Sequence, residues 1–333
     1  MGWKGTMRSI MATARAMERE AQRRQRELER QRKHLEKMQE LEQAAYEVEV
    51  YQNYLDLLLS IHTSCGKEWD WEEIAAEAPP PKPEKADREA QAQHKLDTYK
   101  PGFYARFVKR VEHNHAKLAQ AVEQARKQDE AEYQAALKQY QEDHAEWKQT
   151  TGLAKRTLAG EAEAYLEAIR QVNPFGEITG LGSSIQCSTN GGEVIEATLV
   201  VNGEDVIPAE EKTLLKSGKL SVKKLNKGRF WELYQDYVCG CVLRVTRELF
   251  ALLPVDMVIT TAMGNLLNTR TGHKEDQPIL SVAMPRKTLE GLIFDMIDQS
   301  DSMENFVHRM NFKKTKGFSA IEAIKPEELE STR

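Results

Sequence analysis

Residues 212–229, KTLLKSGKLSVKKLNKGR, hold seven lysines or arginines and no acid, in a chain whose formal net charge is −5. The seven are Lys212, Lys216, Lys219, Lys223, Lys224, Lys227 and Arg229. Cations at this density attract polyanions, phosphate backbones above all. Lysine is a point charge without the planar fork of arginine, so such a patch would grip a backbone and leave bases unread. A second basic group follows in HRMNFKKTKG, where Arg309, Lys313, Lys314 and Lys316 surround Phe312. A ring among cations suits base stacking as well as phosphate contact. The competing reading is structural: KLSVKKL can form an exposed strand, and lysines on an edge strand block stray sheet pairing.

Metal chemistry would need carboxylates or imidazoles brought together, and the candidates are Asp256, His273, Glu275 and Asp276. A helix, a strand, a loop and a second strand invite comparison with the restriction-endonuclease-like nucleases. Those hold a divalent ion between a carboxylate near one strand and an acid-x-Lys pair on the next. Asp256 would supply the first acid, but the second strand, ILSVAMPRK, carries no acid, and Arg286 and Lys287 come only after Pro285. The motif fails where ligation needs it. No phosphate-binding loop, dinucleotide fingerprint, HExxH, Cys-x-x-Cys or nucleophile elbow occurs, so no cofactor is implied. Arg244 and Glu248, four apart on an apolar helix, are expected to form a structural ion pair. The four cysteines, Cys65, Cys187, Cys239 and Cys241, make no disulfide framework, and with no leader pattern or long apolar span they point to a reducing cytoplasm.

The elements that position these residues fall into two textures. From Trp3 to about His62 there is no proline, and Trp3, Met7, Ile10, Ala14, Met17, Ala21, Leu28, Leu35 and Met38 recur at heptad spacing, with Arg24 and Gln31 as imperfections. The seam shifts near Leu41 and continues through Ala45, Val48, Leu55 and Leu58. A Pro-rich connection near 66–102 is expected to stay unpacked. A second long helix begins after Pro101, with Phe107, Val111, His115, Leu118, Val122, Ala125, Tyr133, Ala136, Tyr140 and Trp147 as its seam. Residues 1–37 hold eleven Lys or Arg against five acids, and residues 129–146 hold six acids against Lys138 alone. Complementary flanks of that kind predict an antiparallel coiled-coil hairpin over 1–150, closed within one chain or between two.

A connecting helix over 151–176 leads to a compact domain over 177–318. SIQCST, VIEATLVV and EDVI read as strands punctuated by turns, RFWELYQDYVCGCVLRVTRELFALL as a central buried helix, and VDMVITTAM and ILSVAM as neighbouring strands. Residues 289–312 read as partly helical with Asp298, Ser300 or Asp301 as caps, and 319–333 as a flexible tail. The class is therefore α+β: a long helical hairpin followed by a ββαββ-type domain.

Three functions fit, in this order. The first is a non-enzymatic structural or adaptor protein whose coiled coil self-associates or binds a protein partner and presents a docking module. The second is a nucleic-acid-binding component of a bacterial defence or genome-maintenance complex, with the lysine clusters on DNA or RNA phosphates. The third is a divergent metal-dependent nuclease using Asp256, Glu275 and Asp276. Membrane-surface contact through residues 3–11 is a further expectation, since Trp3, Met7, Ile10 and Met11 lie among cations.

Overall fold

The computed structural model describes residues 3–100, 111–176, 184–189 and 194–330, with backbone alone for 3–28 and 330. The fold is mixed α+β, with long helices ahead of a C-terminal sheet domain. Helix α1 runs from Trp3 to Leu59, as the absence of proline and the heptad spacing require. Two short helices follow, α2 (Trp71–Ala76) and α3 (Arg88–Asp97), and then the long α4 (Val111–Leu158) and α5 (Ala162–Val172).

The antiparallel mate of α4 is not α1 but the segment 71–99. The Trp147 indole donates to the Glu77 carbonyl at 2.8 Å, and Asn114 donates to the Tyr99 hydroxyl at 3.0 Å near the other end. Between them α4 uses its acids. Asp129 accepts the Glu89 N–H at 2.8 Å, and Lys85 and Arg88 reach Glu130 and Glu132 at 3.0 and 2.6 Å. A carboxylate at the first turn of α3 also satisfies an orphan donor and faces the positive end of the helix dipole. The connection expected to stay unpacked is thus a strap along α4. The acids of 129–146 expected to face residues 19–37 take Lys85 and Arg88 in their place.

The C-terminal domain is built on a six-stranded sheet in the order β1-β2-β5-β6-β7-β8, with β1 Ser184–Ser188, β2 Val194–Val200, β5 Met257–Leu267, β6 Lys274–Pro285, β7 Val307–Lys313 and β8 Gly317–Ser319. Only β2 and β5 run parallel, and the crossover between them carries a two-stranded sheet, β3 (Glu210–Leu214) with β4 (Leu220–Lys224), and helix α6 (Lys227–Leu252). EDVI, expected as a strand, makes a 3₁₀ turn at Glu204–Val206. Part of the stretch expected as helix is β7, and Asp298 accepts the Asp301 N–H at 3.0 Å to start the short 3₁₀ turn before it.

Helix α6 is apolar on nearly every face because it is enclosed by the sheet, α1 and α5, and Leu233, Leu243 and Leu249 are fully buried. Each such side chain contributes roughly 1.5–3 kcal/mol by leaving water. The opposite face of the sheet is crossed by residues 320–330, which end in α7's successor: α7 is Arg286–Glu290, and α8, Pro326–Glu330, closes the chain. Ile324 is buried with Ile259 and Ala283, and its N–H donates to Ser281 Oγ at 3.0 Å. The tail expected to be flexible is docked through residue 330.

Only the last third of α1 rests on this domain. Leu41, Ala44, Val48, Leu55 and Leu58 turn inward against β3, β4 and α6, which explains why the seam shifts at Leu41. Two glycines allow the approach. Gly218 takes φ +80° in the β3–β4 turn, with Leu41 beside it, and Gly240 of α6 leaves space that Ile61 fills.

Candidate functional site

The β3–β4 ribbon presents its lysines to α1. Lys212 Nζ lies 3.0 Å from Glu47 Oε2, and Lys219 Nζ lies 3.0 Å from Glu40 Oε1. The hydrogen bond from Lys212, then that from Gln43, hold the Glu47 carboxyl below the usual carboxylate range. Within the ribbon, Lys223 stands opposite Glu211 and Lys224 opposite Glu210, a cross-strand arrangement of unlike charges. The acids of residues 40–56, expected to face the basic start of the second helix, are met by the ribbon at Glu40 and Glu47; Arg106, Lys109 and Arg110 lie outside the described residues.

The two basic stretches meet at one acid. Glu232 accepts Lys314 at 2.8 Å and Arg229 at 3.0 Å, and both hold its carboxyl low. Arg309 pairs with Glu328 of α8 and donates to the Ala323 carbonyl at 3.1 Å, so it fastens the tail. Lys216, Lys223, Lys224, Lys227, Lys313 and Lys316 make no ion pair within 4.0 Å among the described residues. Five of the eleven predicted cations therefore serve internal contacts, and the other six face solvent or a cross-strand acid.

The proposed metal ligands do not converge. Asp256 sits at the start of β5, beside the end of β6, whereas His273, Glu275 and Asp276 sit at the far end of the same ladder, where Leu267 pairs with Lys274. At ~3.4 Å per residue the two ends are ~30 Å apart, too far to share an ion. Glu275 accepts Asn268 at 2.9 Å and Thr271 at 2.8 Å, which lower its pKa, and Asp276 accepts Asn265 at 2.9 Å. These acids close the β5–β6 turn. Among the described residues no group of three or more His, Cys, Asp or Glu is placed to hold a metal.

Sequence reasoning missed the arginines that close helix ends. Arg247 of α6 donates to the carbonyls of His62, Thr63 and Ser64 just past α1, with its guanidinium 3.8 Å from the Phe294 ring centroid. Arg286 does the same for α6, donating to Phe250, Leu253 and Val255. Such bonds satisfy the carbonyls that a helix leaves unpaired at its C-terminal end. The Arg244–Glu248 pair was legible from its spacing and is nearly buried, at 2.8 Å, on the floor of an open cleft of about 620 Å³ rimmed by Trp69 and Asn173. Glu248 also accepts the Gly66 N–H at 3.0 Å, so the pair holds down the chain that covers it.

The largest unexplained surface is on α1. Residues 29–40 are exposed all round, and beyond them the outward side stays apolar: Leu35 is 63% exposed, Tyr46 62%, Val50 49% and Leu57 63%. Ala44 and Val48 are buried while Tyr46 and Val50, two residues further on, are exposed. Two residues turn a helix by ~200°, so α1 is apolar on two opposite sides and the domain covers one. The seam of residues 3–28 and its membrane-contact candidates Trp3, Met7, Ile10 and Met11 lie outside the described side chains. No helix among the described residues is long and apolar enough to cross a membrane.

No protein family, curated protein or solved structure matches this chain.

Proposed function

We propose that the chain is a structural or adaptor protein without enzymatic chemistry, in which α1 is an arm for self-association and the α+β domain is the module it carries to another macromolecule. The observation behind this reading is the outward side of α1. A stripe from Leu35 to Leu57 is ~33 Å long at 1.5 Å per residue, and α4, the other long helix, already has its mate in residues 71–99. Large exposed apolar stripes of this kind mark interaction surfaces.

Sedimentation velocity of the full chain over a micromolar dilution series tests it. A dimer that becomes monomeric in Leu35→Glu/Tyr46→Glu, with an unchanged helical circular-dichroism signal, supports the arm. A monomer at every concentration would reject it. The six lysines without an ion pair support a second reading, phosphate-backbone contact. Anisotropy titration of DNA and RNA across a salt series separates the two, because backbone contact weakens steeply with salt.

A further inference from the structure

We infer that the arm pairs with α1 of a second copy in antiparallel sense, with a register that places Arg24 against Glu49 of the other copy and Gln31 against Glu42. This rests on the self-association proposed above and adds its geometry.

The unshifted heptad of the arm, carried past Leu41, puts Glu42, Glu49 and Asp56 on the line of Leu28 and Leu35, and Ala45 and Gln52 on the line of Arg24, Gln31 and Met38. Glu42, Ala45, Glu49, Gln52 and Asp56 are all exposed, so the docked domain leaves these positions open. Glu42, Glu49 and Asp56 make no ion pair among the described residues. A seam with polar breaks at both ends specifies its own partner through those breaks.

A parallel, in-register pair would set Arg24 against Arg24 and each of Glu42, Glu49 and Asp56 against its own copy, four layers of like charge. Turning one helix round removes these clashes. With Leu35 of one copy level with Met38 of the other, the following layers are Gln31 with Glu42, Leu28 with Ala45, Arg24 with Glu49 and Ala21 with Gln52, each occurring twice by the two-fold axis. The two imperfections of the basic half thus meet acids of the acidic half, and Leu28, Leu35, Met38 and Ala45 meet in the middle. The overlap from Ala21 to Gln52 is ~48 Å at 1.5 Å per residue. The domains sit toward opposite ends of the pair, each on the side of its own α1 that faces away from the seam. The basic excess of residues 1–37, left unmatched by α4, finds its counter-charge in the acids of residues 40–56 of the second copy.

The test uses the full chain in a background with Cys65→Ser and Cys187→Ser, leaving the two buried cysteines. In the antiparallel pair, Leu28 of one copy lies ~25 Å along the axis from Leu28 of the other, from seventeen residues of offset. Leu28→Cys alone then stays uncross-linked, while an equal mixture of Leu28→Cys and Ala45→Cys chains gives a disulfide-linked dimer. In parallel, Arg24→Glu and Glu49→Arg each weaken the dimer at least tenfold in sedimentation, and the double variant recovers most of the loss. Cross-linking of Leu28→Cys with itself, or no recovery in the double variant, overturns the antiparallel register while the dimer itself stands. A wild-type chain that is monomeric throughout overturns both the register and the self-association beneath it.

Discussion

Lys212 of β3 and Glu47 of α1, 165 residues apart in sequence, meet at 3.0 Å. The contact shows where the basic stretch went: part of it faces the acidic side of the helix that the domain must hold. Together with Lys219 and Glu40 it fixes the register of α1 on the β3–β4 ribbon.

Reversing that pair should loosen α1 without unfolding the sheet. Lys212→Glu is expected to speed amide exchange several-fold in residues 210–224, where the ribbon relies on α1 for cover. Lys212→Glu/Glu47→Lys should restore protection. The difference should shrink at high salt, because partly exposed pairs are screened. Hydrogen exchange followed by mass spectrometry reads it directly.

Asp236 predicts a pH dependence. Burial in α6 pushes its carboxyl up to about 6 from an ordinary 3.8, with Asp298 and Glu232 adding to the rise and Ser300 opposing it. One Asp236 carboxylate oxygen has no hydrogen-bond partner. The native state binds this proton more tightly than the unfolded chain, so its contribution is fully present below pH 4 and lost as pH rises to 6. The loss is roughly 3 kcal/mol from a shift of about two units. Asp236→Asn should be more stable than wild type at pH 7 and flatten this part of the profile. Urea melts at pH 4, 5, 6 and 7 check both.

At Gly240 a Cβ would stand 2.9 Å from Ile61 Cγ2. Gly240→Ala should therefore destabilise, with overpacking of about 1–3 kcal/mol offset by about 1 kcal/mol of helix propensity. In an Ile61→Ala background the same substitution should become stabilising. Thermal melts of the four proteins show whether the sign reverses.

The nearly buried Arg244–Glu248 pair should behave asymmetrically. Arg244→Met leaves a buried carboxylate and is expected to cost about 3–5 kcal/mol, whereas Arg244→Met/Glu248→Leu should be far milder. The double variant should also free the 66–71 strap, since Glu248 holds the Gly66 N–H. Limited proteolysis at Lys67 reads that second effect.

Local order was legible from the sequence. Heptad spacing without proline identified α1 and α4, all-round apolarity identified α6 as buried, and β-branched runs identified β2, β5 and β6. The Arg244–Glu248 pair followed from a spacing of four residues. The polar candidates were harder, because a lysine or aspartate looks the same whether it faces water, a cross-strand acid or another helix. Glu275 and Asp276 proved to be turn-closing acids, and Arg309 a clasp on the tail.

By itself the sequence determined periodicity, and periodicity determines which residues share a side of a helix or strand. Pairing between distant segments was decided by the tertiary structure alone. Lys85 and Arg88 reach the α4 acids because α3 follows α4 closely, and Lys212 reaches Glu47 because Gly218 and Gly240 let α1 approach. Charge complementarity along a chain names several equivalent partners. Close packing, which admits one neighbour at each surface, selects among them and leaves the outward side of α1 open.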